Sequence, residues 1–200
     1  MARLFLDRLR ADRSGISITE FGLIAPVLIT LLMGVMDLGH TLYMQSVLQG
    51  VMQKAARDAA LETGTESSMQ TAIDTAVTDQ VKKLASGAAV EIKRTNFRDY
   101  TKAATPAKEP FTDTDGNGTC NGGEPYQDNN NSGTWDVDSG RTGQGGAQDS
   151  VIYSAQVEYP RLFPFMRSVG LPATVTLNAA TALINQPYGD QAAVTVRNCP

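Results

Sequence analysis

Residues 16–36 read ISITEFGLIAPVLITLLMGVM, a run of 21 residues with a single charge, at Glu20. As a helix rising 1.5 Å per residue the run is about 31 Å long, which matches the roughly 30 Å hydrocarbon core of a bilayer, so it predicts a transmembrane helix. Before it lie Arg3, Arg8, Arg10 and Arg13 against Asp7 and Asp12, and no arginine follows in the twenty residues after Met36. That asymmetry leaves the short N-terminus, residues 1–15, in the cytoplasm and exports residues 37–200. The run is longer than the apolar core of a secretory signal, and Asp37-Leu38-Gly39-His40-Thr41 offers no small-residue cleavage site. Glu20 is the anomaly. A carboxylate inside a membrane helix costs up to about 2.5–3.5 kcal/mol, so it either snorkels to the headgroups from the edge of the span or meets a partner. Pro26 is tolerated in such a helix, and Gly22, Thr30 and Gly34 share its stripe of small residues, a surface on which helices approach closely in lipid.

The arginines, then Ser14-Gly15, then Ile16-Ser17-Ile18-Thr19-Glu20-Phe21 and a long apolar helix resemble a class III signal of the type IV pilin superfamily. With Pro26, the run Met36 to Tyr43 (MDLGHTLY) and Ala55-Ala56-Arg57-Asp58-Ala59-Ala60, the chain resembles the TadE-like family, minor pseudopilins of the tight-adherence (Tad/Flp, type IVb) pilus. The resemblance implies a prepilin peptidase cutting between Gly15 and Ile16, leaving a cationic amine on Ile16. Glu20, followed by Phe21, would then pair during assembly with that amine on a neighbouring subunit. It implies a non-enzymatic, structural role in pilus biogenesis. The implied partners are other pilins and pseudopilins, assembly-platform proteins and membrane lipid. The implied location is the bacterial inner membrane, single pass with a periplasmic C-terminal domain, or the pilus itself. Related tight-adherence proteins keep their leaders as plain anchors, so cleavage stays open.

Beyond the membrane, Met44, Leu48, Met52, Ala55 and Ala59 recur at helical spacing, predicting that the span continues as an amphipathic helix to about Leu61, a rod of about 70 Å. Gly64 ends it. Ser67-Ser68-Met69-Gln70 reads as a capping box opening a second helix with Met69, Ile73, Val77 and Leu84 on one side, ending at Gly87. Alternation predicts strands over 89–94, 150–159 and 173–185. The expected fold is α+β: a long N-terminal helix continuing into a pilin-like head with a small antiparallel sheet. Between the last two strands, Phe163, Phe165 and Met166 sit in a proline-interrupted stretch, read as a lid folded onto the core or as a contact patch for another subunit.

Residues 109–149 differ in composition, with half of the eighteen glycines and eight carboxylates against Arg141 alone. Such a stretch repels itself and does not fold unaided. Within it, Asp113-Thr114-Asp115-Gly116-Asn117-Gly118-Thr119 with Glu124 at the twelfth position fits the calcium-loop pattern D-x-[DN]-x-[DN]-G-x5-E throughout. Asp113, Asp115 and Asn117 would offer side-chain oxygens, Thr119 a carbonyl and Glu124 two oxygens to Ca2+. Fifteen residues on, Asp128, Asn130, Ser132, Thr134 and Asp136 repeat the spacing as a weaker second loop without the twelfth glutamate, Asp138 standing one place early. Pro110 and Pro125 argue against the helices that flank a true EF-hand, and a solvated Asx-Gly segment is the plain alternative. Cys120 and Cys199 lack metal or redox spacing and read as one disulfide in an oxidising compartment, or as two free thiols.

With 42% apolar residues the chain can bury a core, and a net charge of -4 with 19% charged residues excludes a nucleic-acid binder. His40 is the sole histidine, which excludes multi-histidine metal centres and makes a Ser-His-Asp site depend on that residue. Three readings compete. A pilus assembly protein explains Glu20; an uncleaved, membrane-anchored calcium-dependent binding or adhesion module explains the loops alone; a glycosidase-type carboxylate pair explains neither as well.

Overall fold

The computed structural model describes residues 16–61, 64, 66–105 and 107–200. Gly15 and the arginine leader lie outside the described residues. The chain divides into two compact units, one holding the residues up to Leu42 with Arg161–Ala173, the other Tyr43–Pro160 with Thr174–Pro200.

Helix α1, Ile16–Ala59, runs through Pro26 without interruption. In the first unit its side chains from Ile18 to Met36 are mostly exposed and apolar. The stretch Ser17–Ala59 contains an 18-residue window of mean hydropathy 2.1, enough by length and composition to cross a membrane. The 161–173 segment forms a 3-10 turn at Pro164–Val169 that ends on Gly170 in the left-handed region, φ 89°.

In the second unit the α1 residues Met44, Leu48, Met52, Ala55, Ala56 and Ala59 are buried with Ile73, Val77 and Val81 of α2, Ser67–Leu84. They cover one face of an antiparallel sheet of order β3-β1-β4-β5, made of β1 (Ala89–Phe97), β3 (Arg141–Thr142), β4 (Ser150–Pro160) and β5 (Thr174–Ile184). Strict alternation puts Val151, Tyr153, Ala155, Val157 and Tyr159 of β4 in the core beside Val175, Leu177, Ala179 and Leu183 of β5. The register pairs Ala155 with Ile92 on one side and with Ala179 on the other. A short helix α3, Tyr100–Ala104, follows β1. The fold is therefore α+β, with the apolar helix first and the small antiparallel sheet after it.

Three local expectations shift. Helix α1 stops at Ala59, because its last carbonyls find distant donors: Gln144 Nε2 donates to Ala59 O at 2.9 Å and the Gln186 amide to Ala60 O at 3.0 Å. Gly64 is packed against that end, where a β-carbon would stand 2.1 Å from the Ala59 oxygen. Ser67 is the first helical residue of α2 and not its cap; Glu66 stands at the cap position without a side-chain bond. Along the α2 stripe Met69 is exposed and Val81 takes its place inside. Three strands lie outside the expected ranges: β3 at the edge of the main sheet, and β2 (Pro125–Asp128) and β6 (Thr195–Asn198), which pair with each other in a separate sheet.

Candidate functional site

The acidic insertion is a hydrogen-bonded pair of loops with a small core of its own. Cys120, Tyr126 and Cys199 are buried there, with Phe111 and Trp135 packed on them, the two rings edge-on at 5.5 Å. Cys120 and Cys199 are joined, their Cα atoms 5.4 Å apart, which ties the first loop to the β6 strand.

In the first loop the chain wraps around Asp113, whose carboxylate accepts from the amides of Gly116 at 2.7 Å, Asn117 at 3.2 Å and Gly118 at 2.8 Å. The wrap needs φ of 76° at Gly116 and 74° at Gly118, left-handed values that a β-carbon disfavours. Asp115 accepts from the Asn117 amide and from its Nδ2, at 3.1 and 2.7 Å, while Asn117 Oδ1 accepts from the Thr119 amide. Glu124 is buried and closes the loop, taking the Thr114 amide at 2.6 Å on one oxygen and the Asn121 amide at 3.3 Å on the other. The Gly118 amide, foremost, holds Asp113 below the usual carboxylate range, and the Thr114 amide does the same for Glu124. Both are ionised at neutral pH. Among the described residues, Asp113, Asp115 and Glu124 form the one cluster of three acidic side chains offering ligand oxygens within 4.8 Å of one another. Three converging hard oxygens with this charge suit a divalent cation of the calcium or magnesium kind.

The second loop has the same build, with one partner exchanged. Asp128 accepts from the amides of Ser132 at 2.9 Å and Gly133 at 3.0 Å. Asp136 takes Ser132 Oγ at 2.6 Å and Asn130 Nδ2 at 3.0 Å, and the Ser132 hydroxyl also donates to the Thr134 carbonyl. Asp138 does not stand in for the missing glutamate; it is exposed and accepts from the Gly140 amide. The closing carboxylate is Glu109, from ahead of the first loop. It takes the Asn129 amide at 2.7 Å on one oxygen and the Asp136 amide at 3.2 Å on the other. These are positions two and nine of the second loop, as Thr114 and Asn121 are of the first. Burial pushes Glu109 up from its ordinary value against the pull of those amides. The signal was present in the sequence as a repeat, Glu109-Pro110-Phe111-Thr112-Asp113 and Glu124-Pro125-Tyr126-Gln127-Asp128. The two copies cross over: the Thr112 amide donates to Pro125 O and the Gln127 amide to Pro110 O, both at 2.9 Å, around an antiparallel Phe111–Tyr126 bridge. Prolines suit these positions because only their carbonyls are used.

Charge separates the loops. Arg197 Nε reaches Asp128 at 2.6 Å, so a guanidinium already answers the second loop. The cluster at Asp113 could hold a metal ion.

At the other end of the chain, Glu20 and Phe21 are exposed on α1 within the apolar stretch. Residues 15–60 match the family model described as TadE, TadE-like protein. The chain carries a TadE-like segment. The match covers α1 and Gly15 before it, and relates that segment to TadE-like proteins. No curated protein and no solved structure matches the chain.

Proposed function

We propose that the chain is a TadE-like minor pseudopilin, or membrane-anchored assembly protein, with a structural role in building a tight-adherence pilus. The observation that carries this reading is Glu20, a carboxylate near the N-terminal end of the apolar run of a TadE-like segment. Residues 1–15 serve as a cytoplasmic leader, 16–36 as the span in the inner membrane and 37–200 as the periplasmic part. Prepilin peptidase removes the leader between Gly15 and Ile16. The new Ile16 amine of one subunit then meets Glu20 of the next. At 4 Å and an effective dielectric near 20 such a pair attracts by about 4 kcal/mol, comparable to the cost of holding a carboxylate in lipid, so assembled helices are favoured over the lone subunit. In the periplasm Asp113, Asp115, Asn117, Thr119 and Glu124 bind Ca2+, and the Cys120–Cys199 disulfide holds the insertion to the C-terminal strand.

Intact mass of the protein purified from membranes tests the processing: a species beginning at Ile16 is expected, and one retaining Met1 or Ala2 would turn the reading to an uncleaved anchor. Glu20→Ala is expected to insert normally while losing crosslinks to other pilins and lowering piliation; unchanged crosslinking and piliation remove Glu20 from assembly. The twin loops, with a core of their own, favour the second reading, a membrane-anchored calcium-dependent adhesion module, should the leader prove to be retained.

A further inference from the structure

The 161–173 segment leaves β4 and returns to β5, yet it is seated on α1 in the first unit. Arg161 closes its base, donating its amide to Ala173 O at 3.0 Å and Nε to Pro172 O at 2.8 Å. The same half-buried guanidinium makes an ion pair with the buried Asp37. Farther along, Met166, 4% exposed, lies against Gly34, where an added β-carbon would stand 3.3 Å from its Cε. The base is thus level with Asp37, and Met166 is three residues nearer the N-terminus of α1, about 4.5 Å deeper toward the span.

We propose that this segment is a second membrane contact, lying in the headgroup layer of the periplasmic leaflet beside the end of the α1 span. The inference rests on reading residues 16–36 as that span. Gly34 and Asp37 bracket the end of the span, so whatever packs on them shares the boundary between hydrocarbon and headgroups. The outward face of the segment suits that layer: Leu162 is 48% and Leu171 40% exposed, with Pro164, Arg167 and Pro172 also exposed. Apolar side chains enter the acyl boundary while a cation meets lipid phosphate. Backbone groups in such a layer need internal partners, and the amides of Met166, Gly170 and Leu171 have them in Phe163 O, Arg167 O and Met166 O. The Arg161–Asp37 pair brings no net charge to the boundary, and each partner answers the other.

The test uses the full chain in vesicles of phosphatidylethanolamine and phosphatidylglycerol whose acyl chains carry bromine near the headgroup or near the chain end. Trp135 stays as a constant background, and one tryptophan is added at Leu171, at Leu162 or, within the span, at Ile24. The emission added by Leu171→Trp or Leu162→Trp is expected to be lost with bromine near the headgroup and retained better with bromine near the chain end. Ile24→Trp is expected to lose its emission to bromine as well. Added emission at both loop positions that ignores bromine, with Ile24→Trp quenched, overturns the membrane contact and leaves the span standing. Emission from Ile24→Trp that ignores bromine overturns the span, and the inference with it.

Discussion

Asp74 gathers three donors, and its neighbour Tyr153 sets a pH limit for the sheet unit. The Tyr153 hydroxyl donates to Asp74 at 2.7 Å, and Arg94 donates to the same carboxylate through both terminal nitrogens at 2.7 and 2.6 Å. The guanidinium also lies 4.6 Å above the Tyr153 ring. Burial, then the Asp74 carboxylate, pushes the phenol far above its ordinary value of 10.0. The folded chain therefore keeps this proton at a pH where the unfolded chain has lost it. That contribution to stability is complete below about pH 10 and falls away as pH rises beyond it. Tyr153→Phe keeps the ring under Arg94 but removes the bond, so it should cost about 1–2 kcal/mol at neutral pH and flatten the alkaline fall in melting temperature. Melts of both proteins between about pH 8 and 11 check this; parallel alkaline slopes would remove Tyr153 as the titrating group. The inward side of Tyr153 was readable from strand alternation. Its partners were not, since nothing in a 79-residue separation from Asp74 marks the pair.

Among the elements, the two acidic loops make the sharpest claim, because each is closed by the glutamate that begins the other copy of the repeat. Glu109→Ala should release the amides of Asn129 and Asp136 in the second loop, and Glu124→Ala those of Thr114 and Asn121 in the first, each at a cost of about 2 kcal/mol. Amide hydrogen exchange reads the two loops separately. If Asp138→Ala exposes the second-loop amides while Glu109→Ala leaves them protected, the closing role belongs to Asp138, one place short of the twelfth position. The convergence of Asp113, Asp115 and Glu124 was legible because these residues lie close in the chain and fit a fixed spacing. The second loop lacks a closing glutamate in sequence because the carboxylate that closes it, Glu109, precedes its loop in the chain, an arrangement that a forward-running pattern does not contain.

For the whole molecule, the insertion's charge and its crosslink decide how firmly residues 109–149 are held. Calcium added to the full chain in detergent should raise the melting temperature and protect this segment from proteases, and chelation should reverse both; Asp113→Ala should abolish the response. Equal cleavage with and without calcium would return the segment to a solvated loop. Non-reducing peptide maps should recover Cys120 joined to Cys199, and two free thiols would refute the link. Over a separation of 79 residues, loop-closure entropy alone assigns such a bond about 4.5 kcal/mol, so reduction should loosen the β2–β6 pair before the main sheet. Sequence by itself determined the apolar run with Glu20 in it, the buried faces of α1, β4 and β5, and the carboxylates that converge in the first loop. Each of these is written in periodicity or in short-range spacing, which local chain geometry converts directly into a face or a loop. Only the tertiary structure decided that Glu109 closes the second loop, that Arg197 neutralises Asp128, that four-residue strands β2 and β6 pair, and that Arg161–Ala173 rests on Gly34 and Asp37. These contacts join positions far apart in the chain, and their energies exist only once folding has brought both partners out of water together.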